Sequence, residues 1–334
     1  MPDEATTPLV TVVMVTYNSE SYVGSAISSV LAQDFSDFEL LVCDDCSSDR
    51  TWPLIGEFSD RRIRARRNPS NSGEYANRNQ AVALASGKYL MFLDGDDYLY
   101  PHGLGVMVRM MESFPSAAFA SAQPPSAKFV YPVELTPQQF FSCQFLGPNV
   151  MGRDFTQLIF RTDRIRDVGG FDPRFRSGDT HIQLRLALKA NCVLIGDGLA
   201  WWRRYPGQAS ESLVRDRWGL AEYVCYGQEA LAHSDCPLSA QERRLAKSNL
   251  CRMLLRNVAR YAREGRVVHA LGLLRRGCVS VRDWRFLFAK DRMPYLQETT
   301  GKNPLTSEIQ ELQGISRHRS RQAIASDARR TAGK

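Results

Sequence analysis

Short apolar runs that end abruptly in acid-rich clusters constrain this chain more than any other feature. Leu9 to Val15 is nearly continuous in apolar and β-branched residues and is broken by Thr16-Tyr17-Asn18-Ser19. Phe38 to Val42 is followed by Asp44-Asp45, and Tyr89 to Leu93 by Asp94-Gly95-Asp96-Asp97. A fourth, weaker run covers Ile63 to Arg66. Runs of this length and composition suit strands buried on both faces. Between them the apolar positions recur at helical spacing, over Ser21 to Gln33, Thr51 to Phe58 and Tyr75 to Ala85. Strands alternating with helices through short connections predict an α/β fold, a mostly parallel sheet flanked by helices. In such sheets ligands collect beyond the carboxyl ends of the strands, and three polar clusters fall at such ends.

Later segments read differently. Residues 122–149, richer in Pro, Gln and Ser, predict a long surface excursion. Gly169-Gly170-Phe171-Asp172 reads as a turn and Ile182 to Leu188 as a helix. Beyond about residue 212 helical patterns dominate, and residues 315–334 read as a basic, frayed tail. The expected organisation is a domain over 1–211, a helical C-terminal extension over 212–314 and a disordered tail over 315–334.

Charge divides along the same line. Residues 1–200 carry 18 Lys and Arg against 23 Asp and Glu, whereas residues 201–334 carry 25 against 13, so a net charge of +7 conceals two opposite halves. The acidic half suits a metal-holding site. The basic half suits an anionic surface, or is a solvated helical face. No apolar run approaches the ~18 residues of a membrane-spanning helix. Met1-Pro2-Asp3-Glu4 lacks the pattern of a signal peptide, so a cytoplasmic location is expected. The eight cysteines are expected to be buried thiols rather than bridges. The acids inside Cys43-Asp44-Asp45-Cys46 argue against a redox or zinc role.

Three carboxylates within Asp94 to Asp97 repel one another unless a hard divalent cation, Mg²⁺ or Mn²⁺, joins them; the alternative is an acidic turn. Gly95 removes bulk where a phosphate could approach. Asp44 or Asp45 can accept from a ribose hydroxyl or a base N–H. Tyr17 offers a ring for a base or for core packing. The pattern suggests a nucleotide diphosphate held with its metal. No G-x-x-x-x-G-K-[ST], G-x-G-x-x-G after the first strand, G-x-S-x-G or His pair at i, i+4 is present, which argues against P-loop, dinucleotide, serine-hydrolase and zinc-protease chemistry.

The ordered blocks Val12-Val13-Met14-Val15-Thr16-Tyr17-Asn18, Ile27 to Gln33, Phe38 to Thr51, Asn71-Ser72-Gly73, Arg78-Asn79 and Gly87 to Asp97 resemble family 2 glycosyltransferases of the GT-A fold. Gly169 to Asp172, Gly178-Asp179 and Leu184-Arg185-Leu186 resemble that family's acceptor-side block, so the likeness spans about residues 8–210. It implies an inverting transfer from a nucleotide-diphospho-sugar, a UDP-sugar by family habit, to a hydroxyl of a glycan or lipid-linked acceptor in surface polysaccharide or glycoconjugate synthesis. It further implies that Thr16, Tyr17, Asn18, Glu20, Asp44, Asp45, Arg78 and Asp94 bind the donor nucleotide. Asp96 and Asp97 would serve Mn²⁺ or Mg²⁺, and Asp179 would be the base. The acceptor is expected along 122–150 and near Phe155 to Arg161.

Two positions depart from the family pattern. Gly178 stands where a Glu usually precedes the base, and Tyr205 where a His often helps hold the metal; a neutral phenol is a poor ligand for these cations. A catalytically silent nucleotide-sugar-binding or partner-docking protein is the alternative these departures favour. The basic half is expected to allow peripheral contact with the inner face of an anionic membrane, and no nucleic-acid partner is expected.

Overall fold

The computed structural model describes residues 7–126, 128–151, 154–205, 208 and 217–288. Its first third is the expected alternation. Strands β1 (Val10–Thr16), β2 (Phe38–Asp44), β3 (Ile63–Arg67) and β4 (Tyr89–Asp94) pair in parallel in the order β3-β2-β1-β4. Helices α1 (Val23–Leu31), α2 (Thr51–Ile55) and α3 (Glu74–Leu84) connect them. Alternate residues of each strand enter opposite layers, as a period of two requires. Val10, Val12, Met14, Leu40, Val42, Met91 and Leu93 pack in the layer of α1. Val13, Leu41, Cys43, Leu90 and Phe92 pack on the other side with Tyr75, Ala81 and Val82 of α3.

The chain continues through β5 (Tyr98–Leu99), α4 (Gly103–Ser113), β6 (Ala117–Gln123), β7 (Val133–Leu135), α5 (Pro137–Leu146) and β8 (Leu158–Arg161). After α6 (Thr162–Asp167) and α7 (Gly178–Ala187) come β9 (Asn191–Gly196) and β10 (Ala200–Trp201). The complete sheet is mixed, with eight strands in the order β3-β2-β1-β4-β8-β6-β9-β7; β8 runs antiparallel to β4 and β6. A second ribbon pairs β10 with β5, Ala200 opposite Leu99 and Trp201 opposite Tyr98. It returns residues 201–205 to the end of β4.

Residues 122–149 are not the expected surface excursion. They hold β7 and α5, and Phe140, Phe141, Phe145 and Leu146 are buried. The start of the helix is encoded locally: Thr136 caps Gln139 N, Gln139 returns the bond, and Pro137 occupies the first turn. What buries its apolar face is distant in sequence: α7, β9 and the long α9 (Ala240–Arg263), with Tyr223 of α8 (Trp218–Ala232) stacked on Phe145 and α10 (Val267–Arg276) packed in turn on α8 and α9. Gln144 Nε2 donates to the Tyr223 hydroxyl of α8 at 2.9 Å. One hydrophobic core therefore runs from Phe92 and Phe119 of the sheet through α5 into Val224, Leu250 and Leu273 of these helices. The tail expected over 315–334 lies outside the described residues, as does the end of the expected 212–314 extension.

The cysteine expectation needs a correction. Cys43, Cys143, Cys192, Cys236 and Cys251 are buried thiols, but Cys225 and Cys278 form a disulfide. Their 53-residue separation conceals a Cα distance of 5.1 Å, which only the packing of α8 against the end of α10 creates. Burial pushes the Cys43 thiol up to about 11, with Arg66 and Arg64 opposing. That thiol is inert because it is buried, and not because of its acidic neighbours.

Candidate active site

β1 and β4 are hydrogen-bonded neighbours whose connections leave to opposite sides, which places the strand-order switch at their carboxyl ends. The register sets Val15 beside Asp94 and Thr16 beside Asp44, so the three polar clusters meet at one sheet edge.

The first two clusters are spent largely on each other. Asp44 is completely buried; it accepts from Thr16 Oγ1 at 3.2 Å, from Ser47 N at 3.0 Å and from the Ser47 hydroxyl, and Arg67 Nε lies 3.3 Å away. Asn18 Oδ1 accepts from Ser48 N at 2.9 Å, and Glu20 Oε2 accepts from Arg50 N at 2.9 Å. These bonds knit the loop after β1 to the loop after β2. Asp45 Oδ1 accepts from Asn68 Nδ2, Ser72 N and Ser72 Oγ, and Oδ2 from Gly73 N at 2.8 Å. Burial alone would raise this carboxyl, but those bonds hold it below the usual carboxylate range. Asp45 thus fixes the turn from which α3 starts. Tyr17 is different: about half of its ring surface is exposed at the strand end.

From α3, Arg78 reaches under the site. It is almost wholly buried, Nη2 donates to Asp94 Oδ1 at 2.6 Å and to Glu74 Oε1 at 3.1 Å, and its guanidinium lies 3.9 Å from the Phe155 ring centroid. Its Nη1 has no hydrogen-bond partner among the described residues. Partial desolvation at the start of α3 raises Glu74 above the usual carboxylate range, with Arg78 opposing and Asp94 adding, although about half of its side chain still meets solvent.

Asp96 and Asp97 meet the 201–205 segment. The Tyr205 hydroxyl donates to Asp96 Oδ2 at 2.8 Å, Arg203 Nε donates to Asp96 O at 2.8 Å, and Arg203 N donates to Asp97 Oδ1 at 3.0 Å. Burial and the neighbouring Asp94 raise Asp96. Asp97, buried, is pushed up to about 9 by burial and by Asp94, Asp96 and Asp154. Its carboxyl fastens Arg203 from beneath. Among the described residues no three His, Cys, Asp or Glu side chains are grouped to enclose a metal ion by themselves. The donor chemistry still fits Mn²⁺ or Mg²⁺. Such ions are held by one or two carboxylates plus substrate phosphates, and the crowding of Asp94 and Asp96 is the repulsion a cation relieves. Gly95 has a packing reason besides ligand approach: a Cβ there would lie 2.7 Å from Thr16 Cγ2.

Asp179 opens α7. Oδ1 accepts from Thr180 N at 2.8 Å, and burial pushes the carboxyl up to about 8, with Asp154 and Glu74 adding and Arg78 opposing. Asp154 acts on both Asp179 and Asp97, and Arg78, which bonds Asp94 and Glu74, opposes the rise of Asp179 to which Glu74 adds. The base candidate and the acidic turn therefore share one electrostatic neighbourhood. Gly178 has a steric reason. A Cβ there would stand 2.3 Å from Tyr75 Cε1, and Gly178 N donates to the Tyr75 hydroxyl at 2.9 Å. Tyr75 fills the space a larger residue would need.

Sequence reasoning missed Glu74, Tyr75, Asp154, Arg203 and Glu222. Glu222 of α8 accepts from Arg176 N at 2.8 Å and Ser177 N at 3.0 Å, just ahead of α7. Only Glu74, four residues before Arg78, carried a local signal, the i, i+4 ion pair.

Comparison with known proteins bears on the family and the fold. The family model described as "Glycosyl transferase family 2" matches residues 11–186. The chain is 44% identical over 103 residues to the Escherichia coli UDP-Glc:alpha-D-GlcNAc-diphosphoundecaprenol beta-1,3-glucosyltransferase WfgD, a match covering 31% of this chain and 41% of that protein. It is 37% identical over 119 residues to the putative colanic acid biosynthesis glycosyl transferase WcaA of Escherichia coli K12, covering 34% and 42%. The matches thus span about two fifths of the length of these relatives. Among solved structures, S. aureus TarS 1-349 in complex with UDP-GlcNAc superposes with a TM-score of 0.52 at 19% identity, over 79% of this chain and 90% of that one. The mannosyltransferase PcManGT from Pyrobaculum calidifontis, in complex with GDP-Man and Mn2+, gives 0.58 at 17% identity, over 86% and 80%. Both show the fold.

Proposed function

Since this chain belongs to glycosyl transferase family 2, we propose that it transfers a sugar, with inversion, from a nucleotide-diphospho-sugar to an acceptor hydroxyl. The observation that carries this reading is that α3 joins the two acidic clusters: its Arg78 donates to Asp94 at 2.6 Å, and its Tyr75 hydroxyl accepts from Gly178 N at 2.9 Å, next to Asp179. The transfer site belongs to the part of the chain before residue 212, and helices α8, α9 and α10 form the extension that follows it.

The donor nucleotide lies across the carboxyl ends of β1 and β4, its base against Tyr17 and its ribose toward Asp94. Thr16, Asn18, Glu20, Asp44 and Asp45 shape that pocket through the loops they hold. Arg78 acts through Asp94, which it orients. Asp96 would hold Mn²⁺ or Mg²⁺, with Asp97 fastening the segment beside it, and the ion's chemistry is to balance charge on the departing diphosphate. Asp179 takes the proton of the acceptor hydroxyl as that oxygen attacks the anomeric carbon. One displacement leaves the configuration inverted and nothing covalently bound to the protein.

The relatives support the finer parts. A UDP-sugar donor accords with the UDP-GlcNAc held in the TarS complex. An acceptor on a lipid diphosphate accords with the name of WfgD, and surface polysaccharide synthesis with that of WcaA. Among the described residues no helix is long and apolar enough to cross a membrane. We place the enzyme at the cytoplasmic side of the membrane surface, where it would meet a lipid-linked acceptor of the kind that WfgD is named for.

The test is release of nucleoside diphosphate from UDP-sugars with Mn²⁺, for the wild-type protein and Asp179→Asn. The expected result is turnover that falls about 10²–10⁴-fold in the variant while nucleotide affinity is retained. Nucleotide binding without turnover by the wild-type protein would favour the silent alternative, in which the Tyr205–Asp96 bond closes the site.

A further inference from the structure

Helix α10 is built inside out on one side. Ala270 and Leu273 are buried against the neighbouring helices, yet Val267, Val268 and Leu271 are 54%, 86% and 60% exposed. These three lie within about one turn of each other, and Arg275 follows Leu271 by four residues on the same face. Arg276, one residue on, stacks over Trp218 at 4.1 Å. A groove of about 890 Å³ runs beside this face, lined by Trp218, Val267, Val268, Arg266, Arg275 and Arg276 among others. Among the described residues no ion pair joins a carboxylate to Arg275 or Arg276. Glu264, the acid just ahead of the helix, lies 3.9 Å from Arg260.

We propose that this face of α10 is a docking surface for an anionic lipid bilayer. It rests on the reading that the acceptor is lipid-linked. The physical case is the pairing of two chemistries on one surface. Aliphatic side chains exposed in a cluster are unfavourable in water and are stabilised at the boundary between headgroups and acyl chains. Guanidinium groups beside them meet lipid phosphates, and each basic residue near an anionic bilayer strengthens binding by roughly fivefold. A bare phosphate polymer leaves the valines and leucine without a partner. A second copy brings the same arginines, on a half-chain with 25 basic against 13 acidic residues, into like-charge contact.

The test is flotation of the full chain with vesicles of phosphatidylcholine alone or mixed with phosphatidylglycerol, at low and raised salt. Two variants accompany it, Val268→Asp with Leu271→Asp, and Arg275→Glu with Arg276→Glu. All four substituted residues are exposed, Arg276 also covering the Trp218 ring, and far-ultraviolet circular dichroism checks that each variant keeps the fold. The expected result is binding to the mixed vesicles only, weakened about tenfold or more by either variant and suppressed by salt. No binding to mixed vesicles at low salt, or binding unaffected by both variants, overturns the proposal. So does a concentration-dependent rise in solution mass that the aspartate variant abolishes, since the occupant is then a second copy. Nucleoside diphosphate release is measured on the same samples. Intact release without vesicle binding sinks the surface alone, whereas absent release sinks the transferase reading.

Discussion

A carboxylate that must accept a proton from an alcohol works best with a pKa near the operating pH, and a solvated aspartate is several units too acidic for that. In the proposed role Asp179 would gain the needed basicity from burial and from Asp154 and Glu74, which together outweigh the Thr180 N–H bond and Arg78. Only the ionised form can act as base. Turnover should therefore rise with pH and level off above about 8, losing about tenfold per unit well below it. A pH profile of kcat/KM checks this; a profile flat from about 6 to 9 would remove Asp179 from the role. Stability runs the other way for this group. Between the ordinary aspartate value and about 8 the folded chain holds more protons at Asp179 than the unfolded one, so its contribution declines as pH rises through that window. At the same scale Arg78 shows how a side chain can serve a site it does not line. It is nearly wholly buried, and its charge is kept by Asp94 and Glu74 and by the ring of Phe155.

At the scale of elements, α7 depends on a helix more than forty residues further along the chain. The amides of Arg176 and Ser177, at the start of α7, find their acceptor in Glu222 of α8, and the Tyr226 hydroxyl bonds to Thr180 beside Asp179. Replacing Glu222 by Ala leaves two N–H groups without that acceptor, a loss on the order of 1–3 kcal/mol. The expected outcome in urea titration is a lower midpoint, and in kinetics a lower kcat with donor KM nearly unchanged. Glu222→Gln keeps an acceptor oxygen and should recover most of both. The ribbon of β5 and β10 has a parallel role, because it sets Arg203 and Tyr205 against Asp96 and Asp97.

At the scale of the molecule, the described helices α8 to α10 are continuous with the sheet through one core, and the Cys225–Cys278 bridge locks their far end. In the chain-entropy account a bridge closing 53 residues stabilises the fold by about 4 kcal/mol. Thermal unfolding with and without reductant, and with Cys278→Ser, should show a matching drop in Tm; equal midpoints would mean that packing alone holds α8 to α10. The sequence by itself determined the strand–helix alternation, the parallel start of the sheet and the gathering of Thr16, Asp44, Asp45 and Asp94 at one edge. Strand ends and apolar periods are local properties, and a parallel sheet has only one carboxyl side. The tertiary structure alone decided which acids face outward and which are consumed. Asp44, Asp45 and Asp97 look like Asp94 and Asp96 along the chain, but they are buried, and their partners Thr16, Asn68 and Arg203 come from other elements. It also decided that α5 is core and that Tyr75 fills the space beside Gly178, because burial is a relation between segments distant in sequence, and no window along the chain contains both partners.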